Sequence, residues 1–211
     1  MIRPLIPAAL CLTLALVATG CSRPPPPQAI SHQTTHRATE PARVAVLPFW
    51  MGDKVGRSAG VVGETFAASL REQAHHEVIL VSTERRRAIL PGEDVLAVGS
   101  ITADELIKLR EELHVDAIIL GRIEQFESFD PVSIGMSVHL VSCLDGEVLW
   151  SATAHLDSAR DAVQQDLKHW YGDQTGTGNT SIAGWKSALS SPSLFSRYAC
   201  DRLVETMAWK D

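Results

Sequence analysis

Two consecutive strand–helix–strand units between residues 43 and 121 constrain the fold of this 211-residue chain more than any other feature. Apolar runs typical of buried strands occupy residues 43–49, 77–81 and 115–121, and segments with apolar residues at helical spacing separate them. One of these helices has a capping box, in which Glu105 follows Thr102. Because such crossovers join neighbouring parallel strands, we predict a largely parallel arrangement of these three strands with helices packed on it.

The pattern changes from crossovers to a hairpin after residue 131. Apolar and polar residues alternate from Val132 to Leu140, Asp145 and Gly146 provide a turn, and residues 147–156 alternate again. The predicted fold class is therefore α/β, with a mixed sheet of about five strands and packed helices. An extra C-terminal helix is predicted over residues 192–210, because Ser191 precedes a proline at the first helical position.

The first twenty residues have the pattern of a lipoprotein signal peptide. Arg3 supplies a positive charge, an apolar stretch follows, and small residues precede Cys21. We predict cleavage before Cys21 and its modification by diacylglycerol and palmitate, with an ordinary cleaved signal as the alternative. The apolar stretch is shorter than the ~20 residues of a membrane-spanning helix. Ser22 resembles the residue after the lipidated cysteine in Gram-negative outer-membrane lipoproteins, which favours an outer-membrane protein that faces the periplasm.

Residues 21–42 are predicted to be the lipidated cysteine and a disordered tether. They are rich in proline and polar residues and have no hydrophobic periodicity. An extended chain of this length could reach roughly 60 Å at ~3.1 Å per residue. Residues 43–211 then form a single α/β domain, within which we predict a flexible loop at residues 171–190.

The composition excludes some classes of partner. The chain has 19 basic and 25 acidic residues, a formal net charge of −6, so it lacks the basic surface that binds nucleic acid. Hydrophobic residues make up 45% and charged residues 21%, as in a soluble globular domain. Membrane attachment is therefore expected to come from the lipid, and no nucleic-acid partner is expected.

No motif with diagnostic spacing predicts catalysis. The chain has no nucleophile elbow and no zinc-ligand spacing, and Gly172 to Gly178 lacks both the preceding strand and the lysine of a phosphate loop. A zinc site at His139 and His155 would depend on the register of the hairpin. We therefore expect no enzymatic activity, no metal and no cofactor other than the covalent lipid.

Two groups of side chains are candidates for partner binding. Aromatic residues flank the glycine-rich loop, either as packing anchors or as an exposed recognition surface: Trp170, Tyr171 and Trp185. Basic residues lie on a short predicted helix, where they either bind an anionic glycan, lipid headgroup or acidic partner or form an ordinary solvated face: Arg85, Arg86 and Arg87.

Two cysteines remain once the signal peptide and Cys21 are set aside. Outside the cytoplasm Cys143 and Cys200 are able to form a disulfide. The alternative is that both are small buried side chains that behave as apolar residues.

Several segments together resemble a known superfamily. The runs RVAVLPF, EVILVSTERRRAIL, VDAIILGRI and VHLVSCLDGEVLW occur in this order between residue 43 and about residue 156. In that order they resemble the envelope lipoprotein superfamily that contains CsgG, LpoB and the amino-terminal domain of TolB. The resemblance implies an α/β domain that contacts an assembly machine. Its pore-forming members carry additional amphipathic segments that form a barrel, and beyond the predicted hairpin this chain has no pair of long alternating strands to spare, so we do not expect a pore.

These observations lead to one main hypothesis and two alternatives. The main hypothesis is a non-enzymatic, membrane-anchored lipoprotein that binds a protein partner in secretion or peptidoglycan synthesis. The first alternative is a ligand-binding or hydrolytic envelope protein that uses the loop from Trp170 to Trp185. The second is a homo-oligomeric scaffold without a pore.

Overall fold

The computed structural model describes residues 29–35, 41–52, 55, 60–73, 76–91, 100–175 and 184–207. Within these ranges the helices and strands follow in this order: β1 (Ile30–Thr34), β2 (Arg43–Val46), β3 (Trp50–Met51), α1 (Val62–Gln73), β4 (Glu77–Leu80), α2 (Thr83–Ile89), α3 (Ala103–Leu113), β5 (Ala117–Glu127), β6 (Ser133–Ser142), β7 (Val148–Asp157), α4 (Asp161–Thr175), α5 (Gly184–Ser190) and α6 (Pro192–Glu205). The predicted signal peptide and Cys21 lie outside the described residues. In the described ranges, no helix is both long and apolar enough to cross a membrane.

The strands form one mixed sheet in the order β1-β7-β6-β5-β2-β4, and β3 pairs with β5 beyond the end of β2. Strand β2 is parallel to both β4 and β5, as the crossover pattern predicts. Strands β5, β6, β7 and β1 pair in antiparallel fashion. The predicted α/β class and the β6–β7 hairpin are thus confirmed. The sheet has seven strands instead of about five, because β1 and β3 were not predicted.

Strand β3 exists because a proline interrupts the pairing of β2 with β5. The Leu47 N–H still donates to the Ile119 carbonyl at 3.1 Å. Pro48 has no N–H to continue the ladder. Pairing resumes with Trp50 opposite Arg122, where the guanidinium carbon of Arg122 lies 4.3 Å from the centre of the Trp50 ring system.

Strand β1 corrects the predicted tether. Ile30 to Thr34 pair with β7, with Ile30 opposite Ala154 and Thr34 opposite Trp150. The Ile30 side chain is buried in the core, although its neighbours in the strand are polar. The sheet therefore begins at Ile30 instead of residue 43. Only residues 22–28 separate Cys21 from the described chain, a reach of about 22 Å at ~3.1 Å per residue.

Helices cover the two faces of the sheet unequally. The larger core lies between the sheet and helices α1, α4, α5 and α6, and its largest buried side chains include Phe66, Trp150 and Phe195. The smaller core lies on the other face beneath α2 and α3. Helix α3 begins at the predicted capping box, in which Thr102 and Glu105 satisfy each other's backbone N–H groups.

Helices occupy much of the segment predicted to be a loop. Helix α4 extends to Thr175 and α5 begins at Gly184, so residues 171–175 and 184–190 are helical. Residues 176–183 lie outside the described ranges. The C-terminal helix starts as predicted, because the Ser191 side chain accepts from the Leu194 N–H and Pro192 follows it. This helix ends at Glu205 instead of residue 210, and Thr206 is its C-cap.

Candidate functional site

A cavity of about 400 Å³ opens at the carboxyl ends of β2 and β4, and we call it the strand-end cavity. The ends of parallel strands are a common position for ligand sites in open α/β sheets. Its lining comes from the chain after β2, from β3, from the start of α1 and from the turn between β4 and α2. The apolar lining includes Leu47, Phe49, Met51 and Leu80, and the acidic residues among the described lining are Glu64 and Glu84.

Two glycines leave the space in which the Phe49 ring forms one wall of this cavity. A Cβ atom at Gly121 would lie 2.4 Å from the Phe49 ring, and one at Gly63 would lie 3.3 Å from it. The ring also packs on Phe66, with 5.6 Å between the centroids. The strand β5 backbone thus approaches Phe49 so closely that only glycine fits at position 121.

Exposed apolar side chains surround the mouth of the strand-end cavity. Met51 is 37% exposed and Leu80 is 40% exposed, and both line the cavity. Val61, which is 51% exposed, directly follows the lining residue Gly60. Exposed apolar side chains that cluster around a cavity are typical of binding surfaces.

Negative charge borders the same mouth. Glu64 lies in the first turn of α1 and Glu84 in the first turn of α2, and both side chains are exposed. Hydrogen bonds from the Glu84 backbone and the Ser82 side chain hold the pKa of Glu84 below its usual value. Among the described residues that line the cavity, none is basic. The arrangement therefore favours a ligand with an apolar group beside a positive charge.

A second cavity, of about 340 Å³, lies beside the start of β5. Its lining includes Arg110 and Glu111, so it has charges of both signs. The Asp116 carboxylate in this lining accepts from the N–H groups of Ala42 and Arg43 at 3.0 Å each. Because Asp116 fixes the start of β2, this part of the lining has a clear structural role.

The aromatic residues predicted to flank a loop are packing anchors. Trp170 is buried, its indole N–H donates to Asp201 Oδ2 at 2.9 Å, and its ring meets the Tyr198 ring edge-on. Tyr171 and Trp185 are partly buried and pack against the same core. The packing alternative is therefore correct for this group, and Trp170 is not part of an exposed recognition surface.

A buried ionic network lies next to Trp170 and joins α4 to α6. The Asp166 carboxylate accepts from the Tyr198 hydroxyl at 2.7 Å and from the Arg202 guanidinium at 2.7 and 2.8 Å. Burial alone would lower the pKa of Arg202, but Asp166 and Glu205 outweigh it and raise that pKa. Since both partners are buried and bidentate, this pair fixes the position of the two helices.

The three consecutive arginines do not form one basic surface. Arg86 is buried, whereas Arg85 and Arg87 are exposed. Arg85 lies 3.6 Å from the Glu112 carboxylate and donates to the Glu112 carbonyl at 3.4 Å. Neither the anion-binding alternative nor the solvated-face alternative fits Arg86, which is buried, and Arg85 contacts helix α3.

The two cysteines are free thiols in separate cores. Cys143 is buried in the smaller core and Cys200 in the larger one, on opposite faces of the sheet. Burial raises the pKa of Cys143 to about 12 and also raises that of Cys200. The disulfide alternative is therefore wrong, and the alternative that both residues are small buried apolar side chains fits the structure.

The hairpin register separates the two histidines considered for zinc. His139 is opposite Ser151 and His155 is opposite Gly135, so they lie about 13 Å apart along the strands. Burial lowers the pKa of His139. In the described ranges, no group of three or more His, Cys, Asp or Glu side chains is arranged to hold a metal ion.

No family model matches this chain, and no curated protein matches it. Solved structures do show a similar fold. A singly substituted PelC dodecamer from Paraburkholderia phytofirmans is 14% identical, with a TM-score of 0.46, and the match covers 82% of this chain and 96% of that one. Lipoprotein GNA1162 from Neisseria meningitidis is 15% identical, with a TM-score of 0.45 and coverage of 67% and 99%.

LpoB from E. coli is 16% identical, with a TM-score of 0.39 and coverage of 73% of this chain and 91% of that one. LpoB is thus among the solved structures that this chain is similar to, and the resemblance to CsgG and to the amino-terminal domain of TolB stays a prediction. Likeness at this level concerns the fold and does not show what this chain binds.

Proposed function

We propose that this chain is a non-enzymatic lipoprotein of the cell envelope whose α/β domain binds a protein partner in secretion or peptidoglycan synthesis. The observation that carries the proposal is the position of β1. This strand is part of the sheet and begins at Ile30, shortly after Cys21. Acylation of Cys21 would then hold the start of the described chain within about 22 Å of the lipid surface. The partner is accordingly a protein at the same membrane.

The described side chains favour the binding of a protein partner over the alternative of a ligand-binding or hydrolytic protein. That alternative uses Trp170 to Trp185, whose aromatic side chains contribute to packing. The strand-end cavity instead opens beside exposed apolar side chains. Such a surface supports contact with another protein.

The membrane attachment is tested by labelling with palmitate. We expect radiolabelled palmitate in the wild-type protein and its recovery with outer membranes, because Ser22 follows the acylated cysteine. The Cys21→Ala variant serves as the control and takes up no label. A wild-type protein without label would contradict the proposal.

The partner is tested by affinity purification from solubilised membranes. The wild-type protein is expected to recover an envelope protein that the Cys21→Ala variant recovers in smaller amounts, since the unanchored domain is diluted away from the membrane. If neither protein recovered an envelope protein, the proposal would be contradicted. The scaffold hypothesis is separate, and light scattering of the Cys21→Ala protein tests it.

A further inference from the structure

We propose that the strand-end cavity binds an extended segment of a protein partner in which Lys or Arg flanks one apolar side chain. This inference rests on the proposed function, because it specifies the chemistry of the partner and the place where it binds. Three features carry the inference: the size and apolar walls of the cavity, the charge of its rim, and the charges beside the chain's own exposed apolar residues.

The size and walls of the cavity favour a side chain as its occupant. Its volume of about 400 Å³ is near the lower end of the range for ligand sites, about 300–1,000 Å³. Phe49 forms one wall, and its ring lies close to the sheet because Gly121 and Gly63 have no Cβ atom. Met51 and Leu80 are exposed at the mouth, so an apolar side chain that enters would remove them from water together with itself.

The charge of the rim selects what flanks that apolar side chain. Glu64 and Glu84 border the mouth, and no described lining residue is basic. Hydrogen bonds and, to a smaller extent, the positive charge of Arg87 hold the pKa of Glu84 below its usual value, so its carboxylate is ionised at neutral pH. Two carboxylates on one rim attract Lys or Arg and repel Asp or Glu, which gives selectivity even where each exposed charge contributes little affinity.

The partner segment contacts the cavity instead of extending the sheet at β4. The Glu77 N–H donates to the Ala42 carbonyl just before β2, and the Val81 N–H donates to the Val46 carbonyl in β2. Val78 lies between them and therefore turns its carbonyl towards the open edge. Arg71 Nε donates to that carbonyl at 3.2 Å. A side chain thus occupies an acceptor that an added strand would need.

A second copy of this chain fits the cavity poorly. In the described ranges, Phe129 and Leu144 are the most exposed large apolar residues, at 83% and 69%. Asp130 directly follows Phe129, and Asp145 directly follows Leu144. Insertion of either of these two side chains from a second copy would therefore bring a carboxylate to a negative rim, so a partner segment with basic flanks is favoured over this mode of self-association.

The test is a titration of the mature chain carrying Cys21→Ala, with methyl-labelled Met, Leu and Val followed by NMR. Three capped peptides are compared: Gly-Lys-Leu-Lys-Gly, Gly-Glu-Leu-Glu-Gly and Gly-Lys-Ala-Lys-Gly. We expect the first to shift the Met51, Leu80 and Val81 methyl signals and to bind about tenfold more tightly than the second. The third, which lacks the large apolar side chain, is expected to bind more weakly than the first.

Charge-neutralising variants locate the effect. Glu64→Gln combined with Glu84→Gln is expected to reduce the tenfold preference to less than about twofold. Glu111→Gln, an exposed acidic residue at the second cavity, is the matched control and leaves the preference unchanged. Equal affinity for the first two peptides, shifts at other methyl groups, or self-association that removes peptide binding would each overturn the inference.

The outcomes separate this inference from the proposed function. If no peptide binds while membranes still yield a Cys21-dependent partner, the cavity is refuted as the site and the proposed function stands. If the peptides bind as expected while palmitate does not enter the wild-type protein, the site stands and the lipoprotein role is refuted.

Discussion

Two regions with aromatic side chains, the α4–α6 contact around Trp170 and the strand-end cavity around Phe49, have opposite relations to solvent. Trp170 is enclosed, and its only polar group donates to the buried carboxylate of Asp201. Phe49 lies against Gly63 and Gly121 and forms the wall of an open cavity. Whether an aromatic side chain is available for binding thus depends on the residues that pack around it. Its position beside a predicted loop in the sequence does not show whether it is exposed.

The two regions also differ in how they use charge. Asp166 and Arg202 in the α4–α6 contact neutralise each other within hydrogen-bonding distance. Glu64 and Glu84 at the cavity have the same sign and border its mouth. Charge therefore stabilises the fold in the first region, and we propose that it selects a ligand in the second.

The largest expected effect is the loss of the buried pair in the α4–α6 contact. Asp166→Ala leaves the Arg202 guanidinium buried without its main partner, which we expect to lower the free energy of unfolding by about 3–5 kcal/mol. Urea unfolding followed by circular dichroism measures this change. Glu112→Ala, which removes an exposed partner of Arg85, is the control and costs about 0–1 kcal/mol. A cost below about 1 kcal/mol for Asp166→Ala would contradict this interpretation.

A smaller effect is expected where β5 approaches the cavity wall. Gly121→Ala places a Cβ atom 2.4 Å from the Phe49 ring, so we expect the ring to be displaced and the free energy of unfolding to fall by about 1–3 kcal/mol. Gly60→Ala is the matched control, because a Cβ there has no neighbour within 4 Å. Adding Phe49→Ala to Gly121→Ala should give a smaller loss than the sum of the two single changes. Strict additivity would show that the two residues do not conflict.

A still smaller effect is expected from the indole donor of Trp170. Trp170→Phe retains an aromatic ring but removes the hydrogen bond to Asp201, so we expect a loss of about 1 kcal/mol. The affinity for the lysine-flanked peptide should stay unchanged, because Trp170 is buried away from the cavity. Weaker peptide binding with unchanged stability would reverse the roles that we assign to the two regions.

The smallest expected effect concerns pH. The pKa of Glu84 is lowered, so its carboxylate stays ionised from pH 7 to pH 5, and the peptide lysines stay protonated. Fluorescence-anisotropy titrations with a labelled lysine-flanked peptide should therefore give affinities within about twofold across this range. A severalfold change would show that a group that titrates in this interval, such as a histidine, contributes to binding, and would contradict the assignment of the selectivity to ionised carboxylates alone.

The sequence predicted the elements whose hydrophobic periodicity follows from burial. Strands β2, β4 and β5 and the β6–β7 hairpin bury whole rows of side chains, so their patterns are strong. Strand β1 was missed because only Ile30 faces the core, and backbone pairing with β7 makes it a strand. Strand β3 was missed because Pro48 interrupts the pattern before it.

The candidate site was not predicted, because contacts between distant residues create it. The proximity of Phe49 to Gly121 depends on β2 and β5 being neighbours in the sheet. Glu64 and Glu84 belong to different helices that the sheet brings to one edge. One sequence signal did point to this part of the chain: the apolar run that ends at Pro48 and Phe49 is followed by a helix that carries Gly63 in its first turn. The single sequence does not show which distant glycine accommodates the ring.

Reversal of the charge at the cavity rim tests the binding proposal most directly. The measurement is the ratio of affinities for the lysine-flanked and glutamate-flanked leucine peptides, with and without Glu64→Lys and Glu84→Lys together. We predict that the ratio inverts, so that the doubly substituted protein prefers the glutamate-flanked peptide while its circular dichroism spectrum stays that of the wild type. A folded variant that still prefers the lysine-flanked peptide would contradict the assignment of this cavity as the binding site.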